Sequence, residues 1–175
     1  MHLTVPTLLS YPMKMFAGRC PSKPSLRLLG NSAPSVDVIV TCCGEQIDIL
    51  IDTIRATCVL DYPPGRFRVI VSDDANDPEL SKFVESISVR YTNVTYTARK
   101  IGQNHGYKAG NLNHALTLVE NLPGGPGEYV ASLDSDMIPQ PDWLRALIPH
   151  LVLDPKVAMV SPPQVRLDIH LYPGC

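Results

Sequence analysis

Apolar residues along this chain recur in two patterns, one with the period of a strand and one with the period of a helix. Short apolar runs predict five strands, at residues 36–41, 67–72, 93–97, 129–133 and 157–160. Between them, apolar residues three and four positions apart predict four helices, at residues 45–58, 78–87, 110–122 and 141–153. Strands that alternate with helices of this length indicate an α/β fold with a mainly parallel, doubly wound sheet.

The first predicted helix shows the helical period most clearly. Its apolar residues fall on one face and are predicted to be buried: Ile47, Leu50, Ile51, Ile54 and Cys58. The second predicted helix begins at Pro78, a position where the missing backbone N–H of proline costs nothing.

Composition limits the class of protein. The chain has 175 residues, of which 45% are hydrophobic, so it fits one globular domain with a real core. Residues 1–34 are rich in proline and lack periodicity, which is typical of a leader or linker. The net charge of -2 gives no general electrostatic attraction to nucleic acid or to an anionic membrane. Any anionic ligand must therefore be bound locally.

The cysteines indicate a reducing compartment. There are five of them, without a C-x-x-C pair, which predicts free thiols in a cytosol-facing protein. Cys42 and Cys43 are candidate nucleophiles by position, but nothing basic flanks them, so small buried side chains are the preferred interpretation. No apolar run reaches the roughly 18 residues of a membrane-spanning helix.

Polar side chains follow three of the predicted strands. Asp134 and Asp136 follow the fourth, Asp73 and Asp74 follow the second, and residues 41–45 follow the first. Carboxyl ends of parallel strands meet at one edge, where open α/β sheets bind ligands. Two carboxylates one residue apart suit a hard cation such as Mg²⁺ or Mn²⁺ that bridges to a diphosphate. Alternatively, Asp134 makes a turn, Asp136 caps a helix, and the other acids are solvated.

The segment Lys108-Ala-Gly-Asn-Leu-Asn113 begins the third predicted helix. A helix N-terminus offers free N–H groups and partial positive charge, and Lys108 adds a mobile cation, which together suit a phosphate group. The alternative is an ordinary capped helix with an exposed lysine. His105 and His114 lie nearby and are interpreted as loop or helix-surface residues, because a carboxylate-rich site favours hard cations.

Six segments resemble, in order and spacing, the first half of a family 2 glycosyltransferase of the cellulose synthase-like group, in its fungal form. They lie within residues 25–164 and are Val36-Asp-Val-Ile-Val-Thr-Cys-Cys-Gly-Glu45, Asp61-Tyr-Pro63, Ser72-Asp-Asp74, Lys108-Ala-Gly-Asn-Leu-Asn113, Leu133-Asp-Ser-Asp-Met-Ile-Pro139 and Pro162-Pro-Gln164.

The resemblance implies a GT-A (Rossmann-like) fold and an inverting transfer of sugar from a nucleotide sugar, usually a UDP-sugar, to a hydroxyl acceptor. Four side chains would then bind the nucleoside: Thr41, Glu45, Asp73 and Asp74. Lys108 and its neighbouring backbone would bind the diphosphate, and Asp134 and Asp136 the Mg²⁺ or Mn²⁺ ion.

Other family features are not found in this sequence. Members carry a later acidic motif that supplies the catalytic base, then a Gln-x-x-Arg-Trp motif and membrane helices. The tail at residues 165–175 is expected to fall outside the resemblance. We therefore expect a truncated domain at residues 35–164, with a sheet incomplete at its C-terminal end and no nameable catalytic base. Two alternatives stay open, an inert remnant that binds UDP and metal, and an aspartate-based phosphatase.

Overall fold

The computed structural model describes residues 25–100 and 106–163. The strands are β1 (Val36–Cys42), β2 (Phe67–Asp73), β3 (Val94–Ala98) and β4 (Tyr129–Asp134). The helices are α1 (Ile47–Cys58), α2 (Pro78–Ser88), α3 (Tyr107–Asn121) and α4 (Trp143–Leu153). Four predicted strands and all four predicted helices are therefore confirmed, with small shifts at their ends. None of the helices in these two ranges has both the length and the apolar character needed to cross a bilayer.

The four strands form one parallel sheet in the order β3-β2-β1-β4. The chain adds β2 and then β3 on one side of β1 and places β4 on the other side. The strand order therefore reverses between β1 and β4, which creates a crevice beyond their carboxyl ends. This topology confirms the predicted doubly wound sheet and puts the polar edge at the switch point.

The helices cover both faces of the sheet. One face packs Val38, Val40 and Val69 against apolar residues of α1, α2 and α4, and the other packs Ile39 and Ile70 against α3. Because β1 and β2 are buried on both faces, their sequences are almost continuous apolar runs. The site thus lies at the carboxyl ends of the two most deeply buried strands of the sheet.

The predicted fifth strand at residues 157–160 is wrong. The chain leaves α4 at Leu153, turns with a hydrogen bond from Val157 N to Asp154 O (2.9 Å), and continues without strand structure to residue 163. Met159 is 84% exposed. A strand forms only where its backbone groups find a neighbouring strand, and this run pairs with none of the strands of the described residues.

The buried face of α1 also differs from the prediction. Leu50, Ile54 and Cys58 are buried as expected, but Ile47 and Ile51 are only half-buried. Thr53 and Thr57 are completely buried. Two hydroxyl side chains therefore occupy part of the core face that the apolar pattern gave to isoleucine.

Part of the predicted leader packs against the domain. Leu28 N donates to Arg145 O of α4 (2.8 Å), and the Tyr62 hydroxyl donates to Pro34 O (2.8 Å). Ala33 is buried in the core. Residues 1–24 of the predicted leader and residues 164–175 lie outside the described part of the chain.

A buried ion pair lies near the amino ends of β1 and β2. Asp37 of β1 and Arg68 of β2 are register partners, and Arg68 Nε and Nη2 each lie 2.7 Å from Asp37 Oδ1. Gly127 N donates to the other carboxylate oxygen (2.6 Å), and Arg68 Nη2 donates to Gly125 O (2.8 Å). These bonds attach the loop before β4 to the end of the sheet opposite the polar edge.

Candidate functional site

A cavity of about 430 Å³ opens at the carboxyl ends of β1 and β4. Its lining includes six of the seven predicted site residues: Thr41, Glu45, Asp74, Lys108, Asp134 and Asp136. The remaining one, Asp73, does not line it. The polar edge predicted from strand ends is therefore a single concave site in the folded chain.

Asp134 and Asp136 belong to one turn at the end of β4. Asp134 is the last strand residue and pairs with Thr41 of β1, and Met137 N donates to Asp134 O (3.1 Å). Asp134 does make a turn, as the alternative interpretation held. Asp136 does not cap the following helix, because the N-cap position of α4 belongs to Asp142.

The chemistry of this turn fits a hard divalent cation. Carboxylate oxygens are the ligands that Mg²⁺ and Mn²⁺ prefer. Among residues 25–100 and 106–163, no group of three or more acidic, histidine or cysteine side chains is placed to hold a metal. A cation on Asp134 and Asp136 would therefore complete its coordination with oxygens of a ligand or of water.

Lys108 lies in the first turn of α3 and extends to the carboxylate of Asp134, with which it forms an ion pair. Both side chains stay partly exposed, at 59% and 42%. The N-cap residue of α3 is Gly106 with φ of +68°, and no side chain caps the helix. A Cβ at Gly106 would come within 3.3 Å of Gly110, and the positive φ would strain any other residue, so glycine is favoured here. The structure therefore brings Lys108 to the aspartate turn.

Asp73 stabilises the loop that follows β2. Its carboxylate accepts hydrogen bonds from Ala75 N (2.8 Å), Asp77 N (2.7 Å) and the Tyr96 hydroxyl (2.9 Å). Burial, together with the bond to Asp73, raises the pKa of Tyr96 well above its usual value, so the phenol remains a proton donor. Direct contact of Asp73 with a nucleoside stays a prediction, and its observed partners all belong to the loop or to β3.

Asp74 faces the cavity and is paired with a residue that the sequence reasoning missed. The Arg99 guanidinium donates two hydrogen bonds to this carboxylate, from Nε to Oδ1 (2.5 Å) and from Nη2 to Oδ2 (2.7 Å). The same Nη2 donates to Tyr107 O at the start of α3 (3.0 Å). Arg99 therefore joins the ends of β2, β3 and α3. The sequence feature that could have identified Arg99 was its position as a basic residue just after the third predicted strand.

Asn111 was also missed. Its Nδ2 donates to Cys42 O and to Ser72 O, both at 3.0 Å, which bridges the ends of β1 and β2. Its Oδ1 is buried and has no hydrogen-bond partner among the described residues. Because both partners are carbonyls, the orientation of this amide is unambiguous. The only sequence signal was a polar residue four positions before Ala115, on the buried stripe of α3.

Glu45 shapes the loop after β1, where its carboxylate accepts a hydrogen bond from Cys43 N (2.6 Å). Thr41 is buried at the end of β1, beside Asp134 in the sheet. His114, interpreted as a non-ligand, contacts the Thr97 hydroxyl (2.9 Å). His105 lies outside the described residues.

The two cysteines after β1 differ in exposure. Cys42 is buried, as predicted, but Cys43 is exposed and lines the cavity. Burial, followed by the charges of Asp74 and Glu45, raises the pKa of the Cys43 thiol above its usual value. Cys43 is therefore a neutral thiol at neutral pH and a poor nucleophile.

We expect iodoacetamide to alkylate Cys43 more slowly than glutathione at neutral pH, and the difference to shrink as the pH rises toward the raised pKa. Tandem mass spectrometry assigns the label to Cys43 or to the adjacent Cys42 by fragment ions, and Cys58, buried in α1, is the internal control. Alkylation of Cys43 as fast as that of glutathione would contradict the neutral thiol.

Doubly wound parallel sheets bind their ligands beyond the carboxyl ends of the strands, at the switch point, and the paired aspartates of this chain lie there. The chain matches the family model "Glycosyl transferase family 2" over residues 37–174, and it belongs to this family. The match continues beyond Gln164, so the family similarity includes most of the tail that was expected to fall outside it.

Two relatives illustrate the similarity. The cellulose synthase catalytic subunit [UDP-forming] of Pseudomonas fluorescens (strain SBW25) is 32% identical over 130 residues, which cover 74% of this chain and 16% of the relative. Glucomannan 4-beta-mannosyltransferase 1 of Oryza sativa subsp. japonica is 35% identical over 139 residues, which cover 76% of this chain and 25% of the relative. The chain thus spans a quarter or less of these relatives.

Solved structures show the same fold. A mannosyltransferase from Pyrobaculum calidifontis, in complex with GDP-Man and Mn²⁺, gives a TM-score of 0.62 at 24% identity and covers 87% of this chain and 41% of that one. S. aureus TarS 1-349 in complex with UDP gives a TM-score of 0.56 at 21% identity. The match covers 74% of this chain and 38% of the TarS chain. These similarities, with the family match, confirm the expected GT-A fold.

Proposed function

We propose that this chain is the donor-binding part of a metal-dependent, inverting glycosyltransferase that uses a nucleotide sugar, with a UDP-sugar as the donor and a hydroxyl group as the acceptor. The observation that carries the proposal is the meeting of Lys108 with the Asp134–Asp136 turn in one cavity at the switch point of the sheet. A carboxylate-bound cation and helix-terminal N–H groups can each bind a diphosphate, and this cavity combines an aspartate pair with the start of α3.

Each side of the cavity has a separate role in the proposal. Thr41, Glu45 and Asp74 face the nucleoside, while Asp73 acts on it through the loop that it stabilises. Lys108 and the start of α3 bind the diphosphate. Asp134 and Asp136 would hold Mg²⁺ or Mn²⁺, which when bound would neutralise charge on the departing nucleoside diphosphate.

The choice of donor rests on the relatives. The bacterial relative is named as UDP-forming, which supports a UDP-sugar. The mannosyltransferase from Pyrobaculum calidifontis, which has the same fold, was solved with GDP-Man and Mn²⁺, so this fold accommodates a nucleotide sugar with a divalent cation. We also propose that the chain belongs to the fungal cellulose synthase-like group and that it faces the cytosol.

Transfer with inversion requires a base that takes the proton of the acceptor hydroxyl. The four acidic residues that line the cavity are Glu45, Asp74, Asp134 and Asp136, and all of them already have a part in holding the donor, the metal or the surrounding loops. We therefore assign donor binding to this site and assign the role of base to none of its residues.

The test is calorimetry with UDP in the presence of Mn²⁺ and in the presence of a chelator. We expect Mn²⁺ to tighten binding at least tenfold, or about 1.4 kcal/mol, because the two aspartates repel the diphosphate without a cation. Asp136→Asn should remove most of this gain. Asp52→Asn, the same change at an exposed position of α1 outside the cavity, is the control and should retain it.

Equal UDP affinity with Mn²⁺ and with chelator would overturn the metal assignment. A second assay, transfer of labelled sugar from a UDP-sugar to an acceptor, separates the transferase from the alternative of an inert UDP- and metal-binding remnant. The remnant would show the metal-dependent binding without any transfer.

A further inference from the structure

A buried hydroxyl of α1 contacts the backbone between the two aspartates of the cavity. Thr53, which is completely buried, donates from Oγ1 to the carbonyl oxygen of Ser135 at 2.7 Å. Ser135 is itself buried, at 6% exposure, although both neighbouring aspartates reach solvent. Thr53 and Ser135 are 82 positions apart in the chain, so this bond joins the helix after β1 to the turn after β4.

The two aspartates are anchored in different ways. Asp134 is the last residue of β4, and its backbone is fixed by pairing with Thr41 of β1. Asp136 lies beyond the sheet, so its place depends on the turn that leads to it. The carbonyl of Ser135 belongs to the peptide group that directly precedes Asp136, and a hydrogen bond to that oxygen sets the plane of the group. Thr53 thereby holds the peptide group through which the chain enters Asp136.

Thr53 could have bonded within its own helix. A buried threonine usually satisfies its hydroxyl on the carbonyl four residues earlier, and Thr57 does so, with Oγ1 at 2.7 Å from Thr53 O. Thr53 is equally buried, one turn earlier on the same helix face, yet its hydroxyl crosses to the aspartate turn. The two threonines therefore differ in one respect, the destination of the hydroxyl hydrogen bond.

We propose that Thr53 is a positioning residue for divalent-cation binding, acting on Asp136 through the Ser135 carbonyl without touching the cation or the nucleotide. This inference rests on the proposed metal site. Without the hydroxyl, the Ser135 carbonyl is buried without its partner and the turn relaxes to satisfy it elsewhere. Residues that orient metal ligands typically change metal affinity about 10- to 100-fold when they are replaced.

The experiment compares Thr53→Val with Thr57→Val in the full chain. Both replacements remove one buried hydroxyl and keep the side-chain shape. At saturating UDP, we expect the Mn²⁺ dissociation constant to rise about tenfold for Thr53→Val, the lower end of the range for such residues, and less than about twofold for Thr57→Val. Thr53→Ser restores the hydroxyl and should restore the affinity. Uridine binding without metal should be the same in all variants.

Equal Mn²⁺ dissociation constants for the two valine variants would overturn the inference, as would a failure of Thr53→Ser to restore the wild-type value. If Thr53→Val does not fold, the pair Thr53→Ala and Thr57→Ala gives the same comparison. The failure of the proposed function is distinguishable, because the wild-type chain itself would then show no Mn²⁺-dependent gain in UDP affinity.

Discussion

Arg68→Ala is expected to destabilise the fold by about 3 to 5 kcal/mol, because it leaves a buried carboxylate without its cation. The Asp37 side chain is completely buried, and two nitrogens of Arg68 lie 2.7 Å from it. After the replacement, the carboxylate keeps the hydrogen bond from Gly127 N, and the carbonyl of Gly125 loses a donor. Urea unfolding followed by circular dichroism measures the change.

Arg66→Ala is the matched control for this prediction. Arg66 is exposed and lies two residues earlier in the chain, so its loss should change stability by less than about 0.5 kcal/mol. The UDP affinity of folded Arg68→Ala should stay unchanged, since the ion pair lies at the amino end of the sheet and the cavity at the carboxyl end. Similar unfolding midpoints for Arg68→Ala, Arg66→Ala and wild type would contradict the structural role of the pair.

The central strands were predictable because their environment is uniform. β1 and β2 are buried on both faces, so almost every position selects an apolar residue and the run is unambiguous. Residues 157–160 have the same local character, but within residues 25–100 and 106–163 they have no neighbouring strand. Strand formation depends on a partner that the local sequence does not describe, and for this reason the fifth strand was predicted wrongly.

The buried face of α1 shows a second limit of hydropathy. Thr53 and Thr57 are buried because each hydroxyl has a hydrogen-bond partner, one of them 82 residues away. A pattern of apolar residues cannot identify such a partner, so it assigned the face to Ile51 instead. The burial of a polar side chain is decided by tertiary contacts.

The site was predictable in outline from one rule, that parallel strands present their carboxyl ends at a common edge. Six of the seven predicted residues line the cavity, but the rule did not distinguish Asp73 from Asp74. Neighbouring residues of an extended chain point in opposite directions, so one carboxylate had to face away from the cavity. Arg99 and Asn111 were not predicted, because a single arginine or asparagine forms no recognisable sequence pattern. Their roles depend on hydrogen-bond partners that lie at the ends of other strands.

Lys108→Ala is expected to change two affinities in opposite directions. UDP binding in the presence of Mn²⁺ should weaken about 10- to 100-fold, which corresponds to the loss of a hydrogen bond between charged groups. Uridine lacks the diphosphate, and its binding should change by less than about twofold. Mn²⁺ binding without nucleotide should strengthen, because the ammonium of Lys108 now pairs with Asp134, the carboxylate that the cation needs.

The opposite signs make this prediction specific to the cavity. Lys82→Ala removes the same charge from an exposed position of α2 outside the cavity, and it should leave all three affinities unchanged. A loss of uridine affinity equal to the loss of UDP affinity would place Lys108 at the nucleoside instead of the diphosphate. Unchanged Mn²⁺ affinity would show that the ion pair with Asp134 does not compete with the cation.

The ion pair between Lys108 and Asp134 predicts that Lys108 leaves Asp134 for the diphosphate when donor and metal ion bind. The ammonium and the metal ion compete for the same carboxylate, and their positive charges repel each other at that distance.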